Sequence, residues 1–126
     1  MRARASKKDK EALEALRNKY QRKYENLLKM VNSGVKVVAG SDSTGYGNST
    51  RLIRALEMMH EAGMTPMQVI QSATSTAAKA LKIDEWLGSI QPGVEADIIG
   101  VSGNPAIDLG FLRKTRLVMK SGVIVN

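Results

Sequence analysis

The 126-residue sequence contains no cysteine, which excludes a disulfide, a thiolate nucleophile and any cysteine-ligated zinc or iron–sulfur centre. Histidine occurs once, at His60. Any metal must therefore be held largely by oxygen, and a self-contained zinc site with three protein ligands would have to draw the others from carboxylates. Aromatic residues make up 4% of the chain, and no aromatic platform or nucleic-acid motif accompanies them. No apolar run approaches the roughly 18 to 20 residues that cross a bilayer, and the amino terminus has no apolar stretch of the signal-peptide kind. A cytoplasmic location without a membrane partner is the expectation. Internal repeats and low-complexity tracts are also missing.

What is present reads as one globular domain, with 43% apolar and 25% charged residues. The formal charge of +7 is unevenly spread. Residues 1–30 carry Arg2, Arg4, Lys7, Lys8, Lys10, Arg17, Lys19, Arg22, Lys23 and Lys29 against Asp9, Glu11, Glu14 and Glu25, so nearly all of the excess lies there. Such a basic helix is able to grip phosphates through counterion release, yet basic faces on surface helices are commonly just solvated. Nucleic acid is not an expected partner.

From about Ser6 to Ser33 the apolar positions Leu13, Leu16, Tyr20, Tyr24, Leu27 and Val31 alternate in steps of three and four, one face of a long helix. Gly34 is its stop. Val35 to Ala39 is a β-branched run closed by Gly40, the pattern of a buried parallel strand, strand 35–39. Ser49 or Thr50 then caps a helix over about 50–62 with Leu52, Ile53, Leu56 and Met59 as its apolar stripe. Thr65-Pro66-Met67-Gln68 combines a cap, a proline in the first turn and a capping box, opening a helix over 66–81. After Asp84 the period changes to short extended pieces: Ala96 to Val101, Arg116 to Lys120, and, beyond a Ser121-Gly122 hairpin turn, Val123 to Val125. The organisation is thus a basic helix over 1–33, a β/α unit over 34–82 and a β segment over 83–126.

Asp42 stands just past the strand, where a rigid element can hold a carboxylate for a metal or a proton; alternatively it caps a turn through its side chain. His60 shares the apolar face of its helix, and one imidazole without partners makes no site. Asp97 and Asp108 occupy ordinary turn settings and read as structural. Trp86, flanked by Ile83 and Leu87, is expected to pack the β segment. Ser43, Thr44 and the loop to Asn48 lie beside Asp42 and are candidate substrate contacts.

Residues 34–126 resemble the amidohydrolase superfamily, particularly its imidazolonepropionase-like and prolidase-like members. The strand phrase Gly-Val-x-Ile-x-x-Gly-(Ser/Thr)-Asp stands as Gly34 to Asp42. Glu-Ala-Gly-Met-Thr-Pro follows as Glu61 to Pro66, Ala-Thr-x-x-x-Ala-x-x-Leu as Ala73 to Leu81, and Leu-Gly-Ser-Ile-x-Pro-Gly-x-x-Ala-Asp as Leu87 to Asp97. Gly-Asn-Pro is present at Gly103 to Pro105, and the closing phrase only in part, from Leu117 to Gly122.

The resemblance implies an α/β fold: the last β/α unit of a TIM-like (β/α)8 barrel plus C-terminal strands of a small accessory β domain. It also implies metal-dependent hydrolysis of amide or other C–N bonds in a small-molecule substrate. Asp42 would be a ligand of the divalent metal, zinc by expectation, and the acceptor of a proton from the attacking water. The His-x-His, mid-barrel and further histidine ligands of the family are absent, which leaves the chain inactive by itself, its missing ligands expected upstream of residue 1. Self-association, or docking of the missing barrel portion, is the expected partnership. The alternative from another class is a non-enzymatic interaction module whose basic helix binds an acidic partner or nucleic acid.

Overall fold

The fold is described from a computed structural model, over residues 6–42 and 50–125. Helix α1 (Lys7–Asn32) starts at a capping box in which the Ser6 hydroxyl and the Asp9 carboxylate each accept from the other's backbone N–H. It stops at Gly34: the Gly34 N–H donates to Val31 O and the Val35 N–H to Met30 O, both at 3.0 Å, the paired bonds of a Schellman ending. No residue of α1 is buried. Only its last turns, through Leu27 and Val31, reach the core.

The chain then runs without helix or strand from Val35 to Asp42, where a buried strand over 35–39 is expected from the sequence. That expectation is corrected in one respect. The segment pairs with no other strand among the described residues, and Val35 and Val38 are 51% and 43% exposed. A strand is defined by the neighbours it pairs with, and a β-branched run without them is not one.

Helix α2 (Thr50–Glu61) ends in another Schellman pair, Gly63 N–H to His60 O and Met64 N–H to Met59 O. Leu28 of α1 packs directly over Gly63. The predicted capping box opens α3 (Pro66–Ser72), with Thr65 and Gln68 bonded reciprocally at 2.8 and 3.2 Å. The single helix expected over 66–81 is two helices, because α3 ends at Ser72 and α4 (Ser75–Leu81) begins afresh. At the break the Ser72 hydroxyl donates to Val69 O and the Thr74 hydroxyl to Ile70 O. These short polar side chains compete for carbonyls that a continuous helix would use.

Beyond α4, strands β1 (Ile98–Val101), β2 (Thr115–Lys120) and β3 (Val123–Ile124) form an antiparallel sheet in that order. A 3-10 helical turn (Leu109–Arg113) lies between β1 and β2. The expected hairpin turn is there, and Ser121 and Gly122 both have positive φ, at 49° and 79°, as a two-residue type I′ turn requires.

The core is small. Leu56, Met64, Val69 and Leu109 form its buried centre, with Ala39, Leu27, Val31 and Leu112 packed around them. It therefore joins the end of α1, segment 35–42, α2, α3 and the 3-10 turn. Trp86 is not part of it; at 68% exposure it does not pack the β segment as the sequence suggests.

Candidate catalytic carboxylate and its surroundings

Asp42 ends segment 35–42, is exposed, and has a left-handed backbone with φ of 47°. Two attachments fix the segment that carries it. The Val35 N–H is bonded to the end of α1, and the Ala39 N–H donates to Ser72 O at 3.0 Å. Ser72 is fully buried, and its hydroxyl is spent on Val69 O at 2.6 Å. Ala39 itself packs on the core. Three residues before Asp42 the backbone is thus tied to the most buried part of the molecule. Ser43 and Thr44 lie outside the described residues.

His60 and the carboxylates around it are committed elsewhere. His60 Nδ1 lies 2.7 Å from Met64 O; a carbonyl can only accept, so Nδ1 carries the proton and buttresses the turn after α2. His60 borders a shallow surface cleft with Glu57, Glu61 and Asp108, a composition that invites a metal reading. Each carboxylate there already has a partner. Glu57 is held in two-point fashion by Arg113, Nε at 2.7 Å and Nη2 at 2.9 Å. Glu61 accepts from both terminal nitrogens of Arg54, at 2.6 and 3.2 Å, and from the Tyr24 hydroxyl at 3.2 Å. Asp108 caps the 3-10 turn through Gly110 N–H.

The electrostatics follow from this pairing. The Arg113 hydrogen bonds hold the Glu57 carboxyl below its usual range, and those of Arg54 do the same for Glu61. Partial burial, and then Glu61, push the Tyr24 hydroxyl up. Arg54 also reaches Glu57 at 3.4 Å, so a chain of ion pairs links α2 to the 3-10 turn, and the Tyr24 hydroxyl extends it to α1 by a hydrogen bond. The spacing Arg54, Glu57, Glu61 puts these groups on one helix face and was available from sequence; the partnership with Arg113, 56 residues further on, was not. Asp97 is structural as expected: Lys120 and the Ser121 N–H hold its carboxylate across the sheet and keep its pKa low.

Among the described residues no three of His, Cys, Asp and Glu converge to hold a metal. Asp42 is a single carboxylate, and one ligand does not retain a catalytic ion. The donors described in this chain therefore do not by themselves fit a metal centre.

Comparison with known proteins gives these residues a context. The sequence profile of the amidohydrolase family matches residues 5–125. The chain is 30% identical over 99 residues to an imidazolonepropionase of Picrophilus torridus, covering 78% of this chain and 25% of that protein. It is 31% identical over 110 residues to an ochratoxinase of Aspergillus niger, covering 84% and 21% respectively. A crystal structure of a Xaa-Pro dipeptidase with methionine bound in its active site superposes with a TM-score of 0.75 at 37% identity, over 82% of this chain and 25% of that one. The chain thus spans about a quarter of the length of the proteins it matches. Their likeness implies a fold of the TIM-barrel type. With the profile running through nearly every described residue, from α1 to the last strand, the chain belongs to the amidohydrolase family.

Proposed function

We propose that this chain supplies the Asp42 carboxylate to the active site of a metal-dependent hydrolase that cleaves amide or other C–N bonds in a small-molecule substrate. In this reading segment 35–39 is the last barrel strand, α2 to α4 complete its β/α unit, and β1 to β3 belong to a small accessory β domain. The observation that carries it is Asp42 at the carboxyl end of an apolar segment that lies between two helices and is tied to the core through Ala39. Reactive groups of β/α barrels stand at that end of their strands.

Proteins of this family generally use a divalent metal, zinc in this proposal. Its other donors come from outside the described residues, so the 126 residues alone are inactive. Asp42 would serve as one oxygen ligand and as the acceptor of a proton from the attacking water, within hydrogen-bond reach. Ser43 and Thr44 would contact substrate.

The test has two arms. Incubated with zinc or manganese and a set of Xaa-Pro dipeptides and N-acyl amino acids, the isolated chain gives no hydrolysis above buffer. In a complete enzyme carrying this sequence, Asp42→Asn lowers kcat by at least about 100-fold, the lower end of what a positioned proton acceptor supplies. Metal-dependent turnover by the isolated chain, or an active Asp42→Asn enzyme, overturns the proposal.

A further inference from the structure

The break between α3 and α4 releases a carbonyl. In a continuous helix over 66–81 the Ser72 carbonyl would accept from the Thr76 N–H one turn further on. Here it accepts from the Ala39 N–H instead, at 3.0 Å. Among the described residues this is the one backbone hydrogen bond that residues 36–42 make. Together with the packing of Ala39 on the core, it sets where the chain stands just before Asp42.

The break in turn depends on the Ser72 hydroxyl. At the end of α3 the Ala73 N–H donates to Ile70 O at 3.1 Å and the Thr74 N–H to Gln71 O at 3.2 Å, each one residue short of the partner an α-helix would give it. Val69 O thereby loses the Ala73 donor on a residue that is fully buried, and the Ser72 hydroxyl takes that donor's place at 2.6 Å. A buried carbonyl without a donor is costly, so the hydroxyl stabilises the tightened turn. Thr74 then leaves the helical region, with φ of −130° and ψ of −101°, before α4 begins at Ser75.

We infer that Ser72 is a positioning residue for Asp42: its hydroxyl holds the helix break open, and the break gives the Ser72 carbonyl to Ala39. The inference rests on the proposed catalytic role of Asp42 and adds what aims its carboxylate. Without the hydroxyl, the Ala73 N–H returns to Val69 O, the helix closes, and Thr76 claims the carbonyl that Ala39 uses. Ala39 is then released. A catalytic group displaced by about 1 Å costs on the order of 100-fold in rate.

The experiment compares Ser72→Ala with Ser72→Ala/Thr76→Pro. Proline at position 76 removes the rival N–H, and it falls in the first turn of α4, where no N–H has a partner within the helix. In the 126-residue chain, amide hydrogen exchange is expected to be at least about tenfold faster at Ala39 in Ser72→Ala and to return to the unaltered rate in the double variant. In a complete enzyme carrying this sequence, Ser72→Ala lowers kcat at least about tenfold with KM nearly unchanged, and the added proline restores kcat. A merely structural loss would not be repaired by a second substitution that makes no new contact. Ser72→Cys, which keeps the volume and a weak donor, gives the same losses in smaller measure and decides the matter if Ser72→Ala does not fold. An Ala39 amide as protected in the variants as in the unaltered chain, or a lowered kcat that the proline leaves unrepaired, overturns the inference. If Ala39 is released and kcat is unchanged, Asp42→Asn separates the two readings. An inactive Asp42→Asn enzyme then overturns the positioning role of Ser72, and an active one overturns the catalytic role of Asp42.

Discussion

Replacing Gly88 by alanine measures how closely the segment after α4 is seated on that helix. A Cβ on Gly88 would stand 2.5 Å from the Ala78 Cβ and 3.1 Å from Thr74 O, at a φ of +95°. Two costs arise independently. Holding an L side chain in the left-handed region costs about 1–2 kcal/mol, and overfilling a packed contact costs about 1–3 kcal/mol. Together they come to roughly 2–5 kcal/mol, a large part of the ~5–15 kcal/mol that holds a typical domain folded. Urea unfolding followed by far-UV circular dichroism reads this directly. Ala78→Gly separates the two contributions, since it removes the methyl group that Gly88→Ala would strike. Alone it costs about 1 kcal/mol as a glycine inside a helix. In the double variant the clash with the Ala78 methyl vanishes while the backbone part and the Thr74 O contact stay, giving a favourable coupling of about 1–2 kcal/mol. A loss below about 0.5 kcal/mol for Gly88→Ala, or strict additivity of the pair, would refute the close contact.

Other outcomes follow from single contacts. Thr65→Ala removes the side-chain acceptor for the Gln68 N–H and should cost about 1 kcal/mol in the same urea assay. Because Lys120 and the Ser121 N–H depress the Asp97 carboxyl, its contribution to stability is present above its unfolded pKa near 4 and is lost as pH falls through the lower folded value. Denaturation midpoints of Asp97→Asn and the unaltered chain should therefore draw together as pH falls from about 4 through the lower folded value; a gap that stays constant across that range contradicts the ion pair. Leu56→Ala, at the buried centre of the core, should lose about 2–5 kcal/mol. Duplex DNA titrated at rising salt tests the interaction-module alternative: the enzyme reading expects no binding at physiological salt, and a specific complex there with a steep salt slope would favour the module.

The elements legible from sequence are those whose causes are local. The Thr65 capping box, the Gly34 stop and the Ser121-Gly122 turn each depend on residues within a few positions of one another, and each stands where the pattern puts it. The break between α3 and α4 was harder to see. Met67, Ile70, Ala73 and Ala77 keep a helical period straight across it, while the competing hydrogen bonds of Ser72 and Thr74 leave no mark in apolar spacing. Trp86 and the 35–39 segment differ for a non-local reason. Their apolar character is written in the sequence, but burial needs surfaces that the described residues do not supply. Asp42 was legible as the residue ending that segment. The polar network from Tyr24 to Arg113 was not, because its two ends meet only through tertiary packing.

The backbone at Asp42 narrows which amino acids can stand there. A residue with φ of 47° sits comfortably as glycine, asparagine or aspartate, and a longer acid such as glutamate is disfavoured by its bulk beside the following carbonyl. Lengthening the acid by one methylene would thus both misplace its oxygens and strain the chain. The two easy replacements, asparagine and glycine, are uncharged, so a lineage could discard the negative charge at this spot and keep an intact, well-folded protein.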